Sequence, residues 1–211
     1  MPSPIYLDHN ATTPILPRVA DVVRDCLLAV HANATSQHAA GRAARRRLHA
    51  DRDAIAQLLG AKMDGLDADQ LVLTSGGTES NNLALRGSFF KGGRGKAEGG
   101  MNDAAVPHLI VSSIEHPSVE ATAALLASQG VAVDRAPVNS AGVVDVGALA
   151  ALLRPETKLV SVMLANNETG VIQPVREITE LCAARGIPVH TDATQVVGKL
   201  PVDFRSLGVT M

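Results

Sequence analysis

The stretch KLVSVMLANNETG, residues 158–170, runs from seven mostly apolar residues directly into two amides and a carboxylate. Apolar runs of this length without strict polar alternation are typical of strands that are covered on both faces. Asn166, Asn167 and Glu168 then stand where a buried strand ends, and a turn needs fewer polar groups than these. The stretch therefore predicts a strand of a parallel sheet with chemistry at its carboxyl end.

Other apolar runs and helical segments alternate along the chain, which indicates an α/β fold. The further runs that we predict as strands are LVLT (71–74), HLIVSS (108–113), VAVDRAPV (131–138) and IPVHTD (187–192). The expected architecture is a mostly parallel sheet with helices on both faces, built as one large domain or as one domain plus part of another.

The segments with helical periodicity are residues 43–61, 118–130 and 176–186. The last two end in a glycine just before a predicted strand. The first carries an apolar stripe and a glycine C-cap, made by Leu48, Ile55, Leu58 and Leu59 and by Gly60. The Gly-rich, charged segment 91–107 interrupts the alternation, and we interpret it as a mobile surface insertion rather than as a phosphate site.

The composition argues against several classes of function. A formal net charge of -2 over 211 residues, with scattered basic residues, does not suit a nucleic-acid partner. No apolar stretch is long enough to span a bilayer and no secretory pattern begins the sequence, so we expect a cytoplasmic protein without a membrane partner. Cys26 and Cys182 lack CxxC spacing and are expected as buried thiols inside helices. The histidines form no ligand pattern, so no metal site is predicted.

Polar residues follow the predicted strands, at the edge where open α/β sheets bind ligands. After LVLT, Gly76 and Gly77 let a backbone approach closely, and Thr78 begins a helix whose free N–H groups attract an anion. A plain helix cap by Ser75 or Thr78 explains the same residues equally well. After the next strand, His116 precedes a proline that begins a helix, where its ring can lie over a ligand or act as a hydrogen-bonded spectator.

Asp192 follows the run IPVHT, and a carboxylate at a buried strand end is costly unless a cation or hydrogen-bond donors balance it. No arginine lies nearby in the sequence, so we infer that the cation belongs to a ligand. Pyridoxal phosphate carries both a phosphate and a ring nitrogen that must stay protonated for its electron-sink chemistry. The sequence therefore predicts this cofactor at the carboxyl edge of the sheet.

Several blocks of the chain resemble the signature segments of the cysteine desulfurase family, which belongs to the class V aminotransferases of pyridoxal-phosphate fold type I. The blocks are YLDHNATTP (6–14), TSGGTESNN (74–82), IEHPSV (114–119), ANNETGVIQP (165–174) and HTDATQVVGKLPVD (190–203). They occur in family order and cover nearly the whole chain. The resemblance implies the fold-type I large domain, in truncated form, and a transferase that supplies sulfur from L-cysteine for iron–sulfur cluster assembly or other sulfur transfer.

The resemblance also implies a role for each matching position. Thr78 and the Gly77 backbone would bind the cofactor phosphate. His116, as the catalytic residue, would stack on the pyridine ring and help to move protons. Asp192 would pair with the pyridine nitrogen, which agrees with the inference from burial.

Asn167 and Gln195 would contact the phenolic oxygen of the cofactor, and Asn10 would lie near the substrate. The residues alone leave alternatives open for two of these positions. Asn167 can close its own turn, and Gln195 can be a solvent-facing residue at the start of a helix.

In the reaction that the resemblance implies, a protein cysteine thiolate attacks the sulfur of bound L-cysteine and yields a protein persulfide and alanine. Family members carry the cofactor-binding lysine and the catalytic cysteine beyond the segment that matches VDFRSLGVTM (202–211). Lys199, Cys26 and Cys182 do not match those positions. We therefore expect residues 1–211 to be an N-terminal fragment of a longer enzyme.

The expected domain organisation follows from this resemblance. Residues 1–20 form an N-terminal segment that would pack on a small domain and on the pocket, residues 21–211 form an incomplete cofactor-binding large domain, and the C-terminal small domain is absent. A homodimer is expected at full length, with a sulfur-acceptor or scaffold protein as partner.

Two other functions stay open at this point. One is a selenocysteine lyase or another class V aminotransferase-like enzyme, which alanine release from different amino acids would distinguish. The other is a non-catalytic module that binds a cofactor or a partner.

Overall fold

The computed structural model describes residues 5–90 and 106–211, and the predicted insertion at 91–107 lies almost wholly outside these residues. The chain divides into two compact units, Met1–Leu71 and Val72–Met211. In the described ranges the helices are α1 (Pro17–Ala29), α2 (Ala39–Leu58), α3 (Gly77–Gly87), α4 (Pro117–Ser128), α5 (Val146–Leu152), α6 (Val175–Ala183) and α7 (Phe204–Leu207). The strands there are β1 (His108–Ser112), β2 (Ala132–Ala136), β3 (Thr157–Ser161) and β4 (Val189–His190).

The strands of the second unit form a parallel sheet in the order β2-β1-β3-β4. Alternate residues of β1 face opposite sides of this sheet. Ile110 belongs to a core that includes residues of α5 and α6, whereas Leu109 and Val111 belong to a second core with residues of α3 and α4. Helices therefore cover both faces, which confirms the predicted α/β architecture.

Glycines end two of the predicted helices where the sequence places them. Gly130 follows α4 with φ 93° and Gly186 follows α6 with φ 67°. This left-handed conformation costs glycine little, because glycine has no Cβ. Each glycine lets the chain turn from the helix into the next strand.

The predicted strand at residues 71–74 is wrong, because this segment is not a strand in the structure. The side chains of Val72 and Leu73 are 66% and 58% exposed. A strand needs a hydrogen-bonded neighbour. At the outer edge of β4 the neighbour is residues 210–211, since the Thr210 amide donates to the Val189 carbonyl at 2.8 Å. An apolar run alone does not reveal which segment takes that edge.

The first unit also departs from the sequence prediction. The stripe residues Leu48, Ile55 and Leu58 of α2 are exposed. The buried residues of α2 are instead the small ones, Gly41, Ala44 and Ala56. Because a Cβ on Gly41 would stand 2.4 Å from the Ser36 carbonyl oxygen, only glycine fits there. Close backbone packing, rather than the leucine stripe, determines which face of α2 is covered.

The two cysteines lie in helices, but only one of them is buried. Cys182 in α6 is buried, as predicted, and burial raises the pKa of its thiol to about 11. Cys26 is exposed, so its predicted burial is wrong. The reason is that α1, to which it belongs, has no buried residue.

Within the described ranges, no helix has the length and apolar character needed to cross a membrane. The same ranges contain no cluster of three or more side chains that could hold a metal ion.

Candidate functional site

The sheet order creates a crevice between β1 and β3. The chain passes from β1 to β2 on one side and then crosses to β3 on the other side. Ligands of open α/β sheets bind at such a switch point, outside the carboxyl ends of the strands. The loop that contains His116 follows β1, and the turn that contains Asn167 follows β3. Both predicted site residues therefore lie at this edge.

Helix α3 begins with a tightly held loop. Its N-cap, Gly76, provides no side-chain cap, so the alternative of a cap by Ser75 or Thr78 is wrong. Instead, the Glu79 carboxylate reaches back and accepts hydrogen bonds from the Ser75 amide at 2.7 Å and the Ser75 hydroxyl at 2.6 Å. The first N–H groups of a helix have no partner within the helix. The start of α3 at Gly77 and Thr78 is therefore suited to bind an anion.

The start of α3 lies against the turn that follows β4. A Cβ on Gly77 would stand 3.1 Å from the Thr194 hydroxyl, which is tighter than ordinary contact. The side chain of Asn81, in the same helix, donates to Asp192 Oδ2 at 2.8 Å. The structure thus brings the predicted phosphate-binding residues and Asp192 to one place.

Asp192 and His116 belong to one hydrogen-bond network. The Asn81 amide group donates to Asp192 and also to the Ser118 hydroxyl, at 2.9 Å. The Ser118 hydroxyl lies 2.8 Å from His116 Nδ1, and the Ser118 backbone N–H donates to the same nitrogen at 3.1 Å. Because a backbone N–H only donates, Nδ1 is an acceptor. The proton of the neutral imidazole is therefore on Nε2.

Within the described part of the chain, the Asp192 carboxylate is stabilised by neutral donors. Burial would raise its pKa, but the Asn81 side chain and the Thr194 backbone N–H hold the pKa below its usual value. His190 does not act as its cation at neutral pH, because burial lowers the pKa of His190 to about 4. His190 Nδ1 instead lies 2.9 Å from the Ser161 hydroxyl. A ligand with a protonated nitrogen fits this partly buried anion.

Asn166 holds the ANNETG turn together. Its Oδ1 accepts from the backbone N–H groups of Glu168 at 3.0 Å and Thr169 at 2.9 Å. Its Nδ2 donates to the Ile114 carbonyl at 3.1 Å. The turn is therefore tied to the loop that carries His116. Asn167, next to it, is half-buried on the same turn.

The remaining predicted residues lie in less enclosed places. Gln195 is half-buried in a turn after Asp192, and its Oε1 accepts from Lys199 Nζ at 2.6 Å. No helix begins at Gln195, so the helix-start alternative is wrong. Asn10 lies in an exposed turn of the first unit, and its role near the substrate stays a prediction.

Sequence reasoning gave no role to Asn81, Ser118 or Asn166, which connect the predicted residues. All of them stand inside the blocks that carry the resemblance. Their position inside those blocks was the available signal, since their burial is visible only in the structure.

The sequence family described as aminotransferase class-V matches residues 5–211. The chain belongs to the class V aminotransferase family. This result confirms the family that the signature blocks predicted, and the parallel sheet with helices on both faces agrees with it.

Curated relatives of this class V aminotransferase include cysteine desulfurases. The chain is 41% identical to cysteine desulfurase IscS of Enterobacter sp. (strain 638), over 100% of this chain and 49% of that protein. It is 40% identical to the mitochondrial cysteine desulfurase of Arthroderma benhamiae, over 99% of this chain and 39% of that protein. The human cysteine desulfurase is 38% identical, over 99% and 42% of the two chains. The chain thus spans about half the length, or less, of these relatives.

This class V chain is also similar to solved protein structures. A NifS-like protein superposes with a TM-score of 0.83 at 32% identity, over 97% of this chain and 53% of that chain. The structure described as SspA in complex with cysteine gives a TM-score of 0.82 at 31% identity, over 97% and 55% of the two chains.

Proposed function

We propose that this class V chain forms the cofactor-holding part of a pyridoxal-phosphate-dependent cysteine desulfurase. The observation that carries the proposal is the network from Asp192 through Asn81 and Ser118 to His116, at the switch point of the sheet. The similarity to cysteine desulfurases over the whole chain supports the choice of reaction. The substrate is then L-cysteine, and the products are alanine and a persulfide on a protein cysteine.

Different residues would bind different parts of the cofactor. Asp192 would bind the pyridine nitrogen and favour its protonated form, while the N–H groups and hydroxyl at Gly77 and Thr78 would bind the phosphate. Asn167 and Gln195 would contact the phenolic oxygen. When bound, pyridoxal phosphate supplies an electron sink for the charge that develops at the substrate Cα.

His116 holds and moves a proton at Nε2. Ser118 donates to Nδ1 through its backbone N–H, which fixes the tautomer and the orientation of the ring. His116 is also the N-cap of α4, so its backbone position is set by the helix start. A ring with fixed orientation and its proton on Nε2 is suited to general acid–base catalysis.

Further parts of the proposal concern the protein at its natural length. They include a sulfur-acceptor or scaffold protein as partner, a role in iron–sulfur cluster assembly, a homodimer and a cytoplasmic location. Asn10 would contribute to the substrate side of the pocket. Residues 1–20 would pack on the small domain and the pocket, and residues 21–211 would form the large domain.

The test is alanine release from L-cysteine by the natural-length protein with added pyridoxal phosphate. We expect His116→Ala to lower this rate about 100-fold, the effect of losing one general acid–base group. His49→Ala, at an exposed position of α2, is the matched control and should leave the rate unchanged. Alanine release from selenocysteine but not from cysteine would favour the lyase. Release of no alanine from any of these amino acids, with pyridoxal phosphate present, would favour a non-catalytic module.

A further inference from the structure

Glu115 occupies the switch point between the two central strands. It lies in the loop between β1 and α4 and is 8% exposed. Its Oε1 accepts from the Ser112 hydroxyl at the end of β1 and from the Met163 backbone N–H, 2.8 Å away, just beyond β3. One carboxyl group therefore joins the carboxyl ends of β1 and β3 across the crevice.

The second oxygen of Glu115, Oε2, indicates the protonation state of the carboxyl group. Oε2 is buried and has no hydrogen-bond partner among residues 5–90 and 106–211. Oε1 accepts from both the Ser112 hydroxyl and the Met163 backbone N–H, so Oε1 is the carbonyl oxygen of the neutral acid and the proton is on Oε2. A bare carboxylate oxygen in this position would lose its hydration without compensation, whereas a neutral carboxyl group loses much less.

Burial and the neighbouring acidic groups both raise the pKa of Glu115. Burial raises its pKa to about 8 against the hydrogen bonds from Ser112 and Met163. Asp192, beyond β4, and Glu120, on α4, raise the pKa further because both are acidic. Glu115 is therefore largely neutral near pH 7.

We propose that Glu115 is a positioning residue of the cofactor site, which in its neutral form joins β1 to β3 and leaves the negative charge of this edge on Asp192. The next residue in the chain is His116, and Asn166 stands three residues after Met163. The carboxyl group of Glu115 thereby fixes the spacing between the loop that orients His116 and the turn that presents Asn167. This inference rests on the proposed cofactor site.

The first test compares Glu115→Gln with the wild type in unfolding experiments without cofactor. The stability that the neutral form contributes is fully present below the ordinary pKa of glutamate and is lost as the pH rises through about 8. The wild-type unfolding constant should rise relative to Glu115→Gln by up to about tenfold per pH unit between pH 5 and pH 8, as for one bound proton. Glu168→Gln, exposed on the ANNETG turn, should follow the wild type.

The second test measures pyridoxal-phosphate affinity of the natural-length protein at pH 7. Glu115→Gln keeps an acceptor for Ser112 and Met163 and should bind within about threefold of the wild type, the effect of less than one hydrogen bond. Glu115→Ala should bind at least about tenfold more weakly, since both bonds are lost. Parallel pH curves for Glu115→Gln and the wild type, or equal loss of affinity in the Gln and Ala variants, would overturn the inference. A wild type that does not bind the cofactor would instead overturn the proposed function, while the unfolding curves still report the protonation of Glu115.

Discussion

Helices α4 and α1, one from each unit, differ sharply in how far their leucines are buried. In the second unit Leu126 of α4 is 0% exposed and packs against residues of the sheet. In the first unit Leu27 and Leu28 of α1 are 74% and 76% exposed. Both helices carry leucines at comparable density, so local sequence does not explain the difference. What separates them is the parallel sheet, which gives α4 a surface to cover.

A hydrophobic pattern does not by itself predict burial. A stripe shows which face of a helix gains from burial, whereas burial itself requires a second element with a matching apolar surface. In the second unit that element is the sheet, and the polar network of Asp192 lies at its edge. The hydrogen-bond network on which the proposed cofactor site rests therefore lies in the unit with the covered core.

Leucine truncation should show the largest contrast between the two units. Leu126→Ala should lower the free energy of unfolding by about 2–5 kcal/mol, because it removes buried methyl groups and leaves a cavity. Leu28→Ala removes the same atoms from an exposed position and should change it by less than about 0.5 kcal/mol. Chemical denaturation of the natural-length protein measures both. Equal losses would mean that the native protein covers the α1 face as well.

Asparagine truncation should show a smaller difference between the two units in the free energy of unfolding. Asn81→Ala removes one side-chain donor from the Asp192 carboxylate and should cost about 1–3 kcal/mol at pH 7. Asn33, in the first unit, accepts from the Thr35 amide and hydroxyl in an exposed turn. Asn33→Ala should therefore cost about 0.5 kcal/mol.

The cost of Asn81→Ala should also depend on pH. The pKa of Asp192 is lowered in the folded protein, so the stability gained from its ionised form is present above its ordinary pKa. That stability is lost as the pH falls through the folded pKa. Denaturation curves at pH 7 and pH 3 should show a smaller cost at the lower pH, and an unchanged or larger cost in acid would contradict the assigned contact.

Much of the second unit could be predicted from the sequence. Apolar runs identified β1, β2 and β3, and Gly130 and Gly186 marked the helix ends. The need of Asp192 for hydrogen-bond donors or a cation could be predicted, because a carboxylate at a buried strand end needs compensation. The link from Asp192 to His116 could not, since Asn81 is 111 residues from Asp192 and 37 from Ser118. No local pattern contains such pairs.

Other features fail to follow from the sequence for different reasons. Asn166 and Asn167 are adjacent amides, and only the backbone of the turn determines that Asn166 bonds to its own turn. The run at 71–74 has strand composition, yet composition does not supply a neighbouring strand. The stripe of α2 meets the same limit, because amphipathicity does not supply a covering surface.

The most direct test of the proposed cofactor site is the pyridoxal-phosphate affinity of Asp192→Asn compared with Asp53→Asn, by equilibrium dialysis of the natural-length protein. Asp192→Asn keeps the shape of the side chain but removes the charge that a protonated ring nitrogen requires. We expect about 10–100-fold weaker binding, the value of one charge-assisted hydrogen bond. Asp53 is exposed on α2 in the first unit, and its variant should bind like the wild type. Equal affinity of all three proteins would contradict the assignment of the site to the edge of the sheet.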